Sequence, residues 1–436
     1  MTTFEQAASL ARLHERVRLD RGTITGLLFG LLGVTLIAGV APTIDSTTRQ
    51  FNFERPPDPA GIRFHPPTWI ITIGVLYLLT AALSLGSPAA QRWARLTRVL
   101  SALSFIPLTL VLSLALSDNA GTNVVNLLGQ SLVLATPLAL GATTGLWSER
   151  SGIINIGIEG TMLTSAGVGY MIYALLGNAN SAFWLWFSIV IAILAGGLVA
   201  ALHAVLSIRF EVNQIVSGVV INLFALGLTG FLRSEVIFKT GNTSGVSTSD
   251  IGLPLLSSIP VVGTQLFSGG PIYWMMYLVV FGTWLVMFRT PWGLRVRSCG
   301  ENPHAAETLG INVLRIRYQS VILGGFIAGL GGAWFSMESQ AGFDNNMTNA
   351  AGFIALAALI FGKWTPWGAF SGALLFGFSR ALGTRLQFLG VEVSGFEIPS
   401  EFFQSLPFVV TLVVVAGAVG QSIPPAAAGQ PFHRSK

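Results

Sequence analysis

Long apolar runs alternate along the chain with short polar or basic segments, leaving little room for a soluble domain. Runs long enough to cross roughly 30 Å of hydrocarbon as helix fall at 24–42, 68–86, 98–116, 124–146, 153–176, 183–208, 215–232, 272–288, 318–337 and 402–420. A further run, 351–382, is interrupted by Lys363, Pro366 and several glycines, so it is expected to cross as a broken helix or to dip in and return. The pattern predicts an all-α polytopic integral membrane protein with about 10–11 transmembrane helices, one of them broken or re-entrant. Arg12, Arg16, Arg18 and Arg21 precede the first run, which is longer than a signal-peptide core and lacks a small-x-small cleavage site. It reads as a retained helix.

Composition agrees. Of 436 residues, 52% are hydrophobic and 10% charged, against about 25% charged in a soluble domain, and the mean hydropathy is +0.67. A single cysteine, Cys299, excludes an intrachain disulfide and a multi-cysteine metal site. The net charge of +5 is spread over the segments between apolar runs, so it reads as a topology signal and no nucleic-acid partner is expected. With the N-terminus inside, Arg92, Arg95, Arg98, Arg150, Arg209, Arg289, Arg295, Arg297, Arg315, Arg317, Arg434 and Lys436 share the inner side. The outer side keeps chiefly Arg49, Arg55 and Arg63 beside Asp45, Glu54 and Asp58. The bias predicts N-in and C-in, with 383–400 outside.

Two outer loops differ in character. The 43–67 loop and its edges hold Pro42, Pro56, Pro57, Pro59, Pro66 and Pro67, and are expected to be extended without regular hydrogen-bonded structure. The 233–270 loop contains GNTSGVSTSD, a flexible composition suited either to a solvated connector or to ordering against a partner.

On the inner side, RTPWGLRVRSCGENPHAAETLGINVLRIRY spans 289–318. Within it Asn302 can cap a short helix, Pro303 suits its first turn, Glu301 complements its positive end and Gly310 can close it. Two turns are too few to be stable alone. Ala305 and Leu309 share a face at i, i+4, with His304, Ala306 and Glu307 completing the turns. The segment suits a groove on another protein, or a membrane-surface position held by its own chain.

This segment, together with GLWSERSGIINIGIEGTML at 145–163, YQSVILGGFIAGLGGAWFSM at 318–337 and GFIALAALIFGKWTPWGAFSGALLFG at 352–377, resembles ABC-importer permeases of the ribose, nucleoside and branched-chain amino-acid type, in particular their nucleoside and simple-sugar branch. The resemblance covers about 124–420. It implies a permease core at 121–420 with a cytoplasmic coupling segment at 289–317, an N-terminal extension of about three transmembrane helices at 1–120 and a cytoplasmic tail at 421–436. Residues 301–310 would enter a separate ABC ATPase subunit. An extracytoplasmic substrate-binding lipoprotein, a second permease subunit (the same chain or a homologue), a nucleoside or simple-sugar substrate, surrounding membrane lipid and a bacterial-type cytoplasmic membrane are implied with it. No GxxxxGK[ST] loop occurs: of the three lysines only Lys363 follows a glycine, and Trp364 follows it. ATP hydrolysis is therefore expected on the partner, and no enzyme activity, cofactor or metal in this chain.

A pathway for a neutral polyhydroxylated solute needs polar side chains among the spans. Asn126, Gln130, Asn155, Glu159, Asn213 and Asn222 are the candidates, each otherwise an interhelical hydrogen-bonding residue. A helix beginning near Gly152 would put Glu159 roughly 10 Å into the membrane, on one face with Asn155. That face would border the path or its inner gate, unless Glu159 is a structural carboxylate bonded to backbone amides. Gly324, Gly325, Gly329, Gly331 and Gly332 fit close intramembrane packing.

Two other classes compete. A secondary transporter would use the broken run and the intramembrane carboxylate but has no evident need for the arginine-rich 289–317 loop. A membrane enzyme needs clustered chemistry, whereas His14, His65, His203, His304 and His433 are scattered.

Overall fold

The structure, a computed structural model, describes residues 21–53, 61–86, 88–115, 121–176, 182–240, 247–260, 262–388, 392–393, 396–397, 399–409 and 422–433. The chain forms two compact units, Met1–Thr122 with Leu386–Gly420, and Asn123–Arg385 with Gln421–Lys436.

In the first unit α1 (Arg21–Val34) runs on as π-helical turns to Val40, and α2 (Pro66–Leu85) starts on two prolines whose missing N–H groups cost nothing there. Phe29 meets Tyr77 edge-on at 5.1 Å, and Ile70 and Ile73 join the same core. The 98–116 run does not stand as one element: α3 (Pro88–Leu103) and α4 (Phe105–Ala115) divide it at Ser104, where hydrogen bonds from Ser104 N–H to Leu100 O (2.8 Å) and from Leu108 N–H to Ser104 O (3.0 Å) carry the helix across. The Thr80 and Ser101 hydroxyls, 2.7 Å apart, tie α2 to α3. The 43–67 loop departs from expectation. Strands β1 (Arg49–Asn52) and β2 (Ile62–Phe64) pair antiparallel with Gln50 opposite Arg63, because all six prolines fall outside these two stretches and leave their N–H groups free.

The second unit holds α5 (Val124–Arg150), α6 (Ile158–Leu176), α7 (Ala182–Ala204), α8 (Gln214–Leu232), the single turn α9 (Gly263–Leu266), α10 (Pro271–Arg289), α11 (Pro291–Glu301), α12 (Pro303–Thr308), α13 (Val313–Ala333), α14 (Ala351–Phe361) and most of α15 (Pro366–Phe388). Helices α7, α8 and α13 each end in π-helical turns, at Val205–Arg209, Arg233–Ile237 and Trp334–Ser339. A short α16 (Ser400–Gln404) belongs to the first unit.

Among the described residues seven helices are long and apolar enough to cross a membrane. The chain is an all-α polytopic membrane protein. The difference from the ten or eleven expected crossings has local causes. The division at Ser104 leaves α4 with 11 residues, α6 carries Glu159, Thr161, Thr164 and Ser165, and residues 410–420 of the last run lie outside the described residues. The 351–382 run is broken as expected. Helix α14 has 11 residues, about 16 Å of rise, and stops before Lys363 and Trp364, which take φ of 51° and 52° ahead of Pro366.

Helix α13 is the hub of the second unit, packed against α5, α6 and α7. Its contact with α7 is a seam of backbone: a Cβ added at Gly329 would lie 2.7 Å from Ile193 Cα, and one at Gly196 would lie 2.6 Å from Gly329 Cα. Only glycine permits that approach. The glycine run in α13 is thus used for close packing.

Candidate functional site

Helix α5 ends at Arg150 and α6 begins at Ile158, so the expected helix from Gly152 is absent. Asn155 lies in the non-helical link and Glu159 in the first turn of α6; the two do not share a helix face. The reason is that side chains replace the missing helical hydrogen bonds. Gln214 Oε1 accepts from Ile154 N–H at 2.7 Å, and His203 Nε2 lies 3.0 Å from Ile154 O. Asn222 bridges the link and the new helix, donating to Ile156 O at 3.1 Å and accepting from Gly160 N–H at 2.7 Å. His203 also meets Ser217 Oγ at 3.0 Å, a fully bonded, buried histidine. Gly152, at φ +96°, makes the turn that leaves α5.

Glu159 is buried and reaches across to the start of α14. Its Oε1 accepts from Thr348 Oγ1 at 2.6 Å and Ala350 N–H at 3.0 Å; Oε2 accepts from Gly352 N–H at 2.6 Å. A carboxylate supplied from another helix thus caps α14, satisfying orphan N–H groups and placing negative charge at the positive end of the dipole. Arg380 of α15 donates to Asn349 O at 2.8 Å, steadying the same turn. Asn155 is 1% exposed, and its Oδ1 has no hydrogen-bond partner.

The remaining path candidates separate from this cluster. Asn126 and Gln130 lie near the opposite end of α5, where Asn126 donates to Gln265 Oε1 at 3.1 Å and Gln130 is exposed. Asn213 is exposed and caps α8, accepting from Ile215 N–H (3.0 Å) and Val216 N–H (3.2 Å). The structure therefore brings together Asn155, Glu159 and Asn222, not Asn126, Gln130 or Asn213.

Two further acids do comparable work and went unread in the sequence. Glu338 accepts from Ile272 N–H (2.7 Å) and Tyr273 N–H (3.0 Å), capping α10 as Glu159 caps α14. Glu149 accepts from the Trp364 indole at 2.5 Å while Arg150 Nε donates to Trp364 O at 2.9 Å, clasping the α14–α15 turn to the end of α5. An acid inside or beside an apolar run is the shared signal.

The 289–317 segment forms as its capping residues require. Thr290 Oγ1 accepts from Gly293 N–H at 3.2 Å, Asn302 Oδ1 from Ala305 N–H at 3.0 Å, and Asn312 Oδ1 from Arg315 N–H at 3.1 Å. Gly310 takes φ +78°, past the end of α12. Pro303 and Ala306 face inward, whereas His304, Ala305 and Leu309 are exposed, Leu309 to 80%. Glu301 lies 3.6 Å from Arg150. Cys299 is fully buried, and burial pushes its thiol up to about 11, against the opposing pull of the Arg317 charge. Arg317 is not a flanking surface cation: it is 2% exposed, and its Nε donates to Ser151 O at 3.2 Å. Among the described residues no group of three or more His, Cys, Asp or Glu is placed to hold a metal.

The sequence profile of a family described as "Branched-chain amino acid transport system / permease component" matches residues 127–415. The chain belongs to this permease family. The permease is 38% identical over 312 residues to the guanosine ABC transporter permease protein NupQ of Bacillus subtilis strain 168, spanning 70% of this chain and 96% of that protein. It is 40% identical over 323 residues to the nucleoside ABC transporter permease protein NupC of Lactococcus lactis subsp. cremoris strain MG1363, spanning 72% of this chain and 100% of that protein. A putative glucose ABC transporter permease of Haloferax volcanii is 36% identical over 267 residues, 61% of this chain and 79% of that one. No solved structure matches. The resemblance to ABC-importer permeases is therefore borne out, and residues 1–126 of the permease lie outside the family match.

Proposed function

We propose that this permease forms the membrane path of an ATP-driven ABC importer for nucleosides, with simple sugars as the second substrate class. The observation that carries the coupling is α12: a capped two-turn helix whose Pro303 and Ala306 anchor it to its own chain while Ala305 and Leu309 stand exposed. An apolar residue exposed to 80% between arginine-bearing helices suits a partner groove better than solvent. In this reading residues 301–310 enter a separate ATPase subunit, which binds and hydrolyses ATP. A substrate-binding lipoprotein delivers the solute from outside, and a second permease subunit, the same chain or a homologue, completes the path in a bacterial cytoplasmic membrane. The names of the relatives support a nucleoside substrate.

The proposed path narrows to the Asn155 side of the α5–α6 break, since Asn155 keeps an uncommitted acceptor, while Asn213, Asn222 and Glu159 spend theirs on the scaffold and Asn126 lies at the far end of α5. The test is uptake by proteoliposomes holding the permease, its ATPase and its binding protein. ATP-dependent accumulation of guanosine or adenosine, with ribose or glucose weaker, is expected. Accumulation without the ATPase, driven by an ion gradient, would overturn the reading in favour of secondary transport.

A further inference from the structure

Residues 422–433 carry no motif and fall in the cytoplasmic tail expected at 421–436. They thread between the coupling segment and the α5–α6 break. Ala427 N–H donates to Gly300 O at 2.8 Å, and Ala426 N–H to Glu301 Oε2 at 3.3 Å, which fastens the segment to the end of α11. Two residues on, Gly429 N–H donates to Gly152 O at 3.1 Å, and Arg317 Nη1 donates to Gln430 O at 3.1 Å, which fastens it to the break and to α13. Phe432 then packs on His304 of α12, ring centroids 5.2 Å apart, with the Arg317 guanidinium 5.9 Å from its ring.

Both glycines of the Gly152–Gly429 contact have left-handed φ, +96° and +80°. Each also has a side-chain tip close by that a methyl group would displace: a Cβ at Gly152 would lie 2.8 Å from Arg317 Nη2, and one at Gly429 would lie 2.8 Å from Ile154 Cδ1. The contact is backbone against backbone, fixed on both sides by conformations that L residues rarely adopt.

We propose that residues 426–432 are a strap that carries displacement of the coupling helix to the α5–α6 break, with Arg317 as its positioning residue. The connection runs from His304 through Phe432 and Gln430 to Arg317, and from Gly429 to Gly152, seven positions before Glu159 and its grip on α14. A shift of α11 and α12 relative to the break must either move the strap or break its contacts at one end, those to Gly300, Glu301 and His304 or those to Gly152 and Arg317. Because the bonds to Gly300, Gly152 and Arg317 are made to buried groups, moving it is the cheaper course. The strap rests on the reading that α12 docks into the ATPase.

The test uses the assembled complex of permease, ATPase and binding protein, with the permease either intact, ended after Pro425, or carrying Phe432→Ala. The shortened permease is expected to retain the ATPase subunit on co-purification, since Ala305 and Leu309 are untouched, while uptake falls about ten-fold or more. Phe432→Ala should give a smaller loss. Unchanged uptake by the shortened permease overturns the strap, and so does loss of the ATPase from it, which would make the segment part of the docking surface. Should the shortened chain fail to accumulate, hydrogen exchange in the intact complex decides. ATP is expected to change exchange at 301–310, 426–430 and 152–156 together, and a change at 301–310 alone overturns the strap. Ala305→Asp separates the underlying reading: if that variant still binds the ATPase and transports, α12 is not the docking element and the strap falls with it.

Discussion

Glu159 and Gly352 meet through both main chain and side chain. Gly352 N–H donates to Glu159 Oε2 at 2.6 Å, and a Cβ on Gly352 would lie 2.6 Å from Glu159 Cα. The first turn of α6 and the first turn of α14 therefore touch with nothing between them. The carboxylate carried by the first turn of α6 serves the N–H groups at the start of α14, while Gly160 N–H of α6 itself is taken by Asn222.

Replacing Gly352 with alanine forces a methyl group into the Glu159 backbone, at 2.5 Å from its nitrogen. A loss of about 1–3 kcal/mol is expected, as for overpacking of a filled core. Thermal unfolding of the purified permease in detergent measures it. Gly227→Ala, in α8 where nothing lies within 4 Å of an added Cβ, should leave the midpoint unchanged or raise it slightly.

All three partners of Glu159 donate: Thr348 Oγ1, Ala350 N–H and Gly352 N–H. Glutamine keeps the shape but turns one oxygen into a donor, which must face at least one main-chain N–H. Glu159→Gln should therefore destabilise by about 1–3 kcal/mol, and Glu159→Leu by more, because every donor is then orphaned. A glutamine variant with wild-type melting and reduced uptake would instead assign the carboxylate a charge-dependent role in transport.

Ala305 and Leu309 are exposed whereas Ala306 is 1% exposed. Ala305→Asp or Leu309→Asp should leave expression and melting as in wild type and abolish both ATPase co-purification and uptake, since an unpaired charge is buried only in the complex. Ala306→Asp buries its charge in the permease itself and should lower the melting temperature before any partner is added.

Burial holds the Cys299 thiol at about 11, so at pH 8 only about one in a thousand is thiolate, the reactive form. Wild-type permease should resist maleimide reagents until unfolded. In the same background a cysteine at Ser249, which is exposed, should react with an impermeant reagent from outside, and one at Ser298 only after the membrane is opened. The reverse pattern would invert the N-in orientation.

What the sequence disclosed was whatever local chemistry decides. Asn302, Pro303 and Gly310 mark out α12 because cap, first-turn proline and left-handed terminus are properties of neighbouring residues. Lys363 and Pro366 likewise mark the break after α14. The break before α6 was hidden because Ile153, Ile154, Ile156 and Ile158 keep the run apolar, and what opens the helix there is His203, Gln214 and Asn222, some fifty to seventy positions away. The place of residues 422–433 was hidden for a different reason: most of their hydrogen bonds are made by main chain, which every sequence supplies alike.

The seam between α7 and α13 has a consequence for how the second unit moves. Where Gly196, Gly325 and Gly329 press backbone on backbone, there are no rotamers to exchange and no compressible side chains to absorb a shift. The two helices must travel as one rigid block. Any rearrangement of the second unit must therefore carry α7 and α13 together and take place at their contacts with other helices, not at the seam between them.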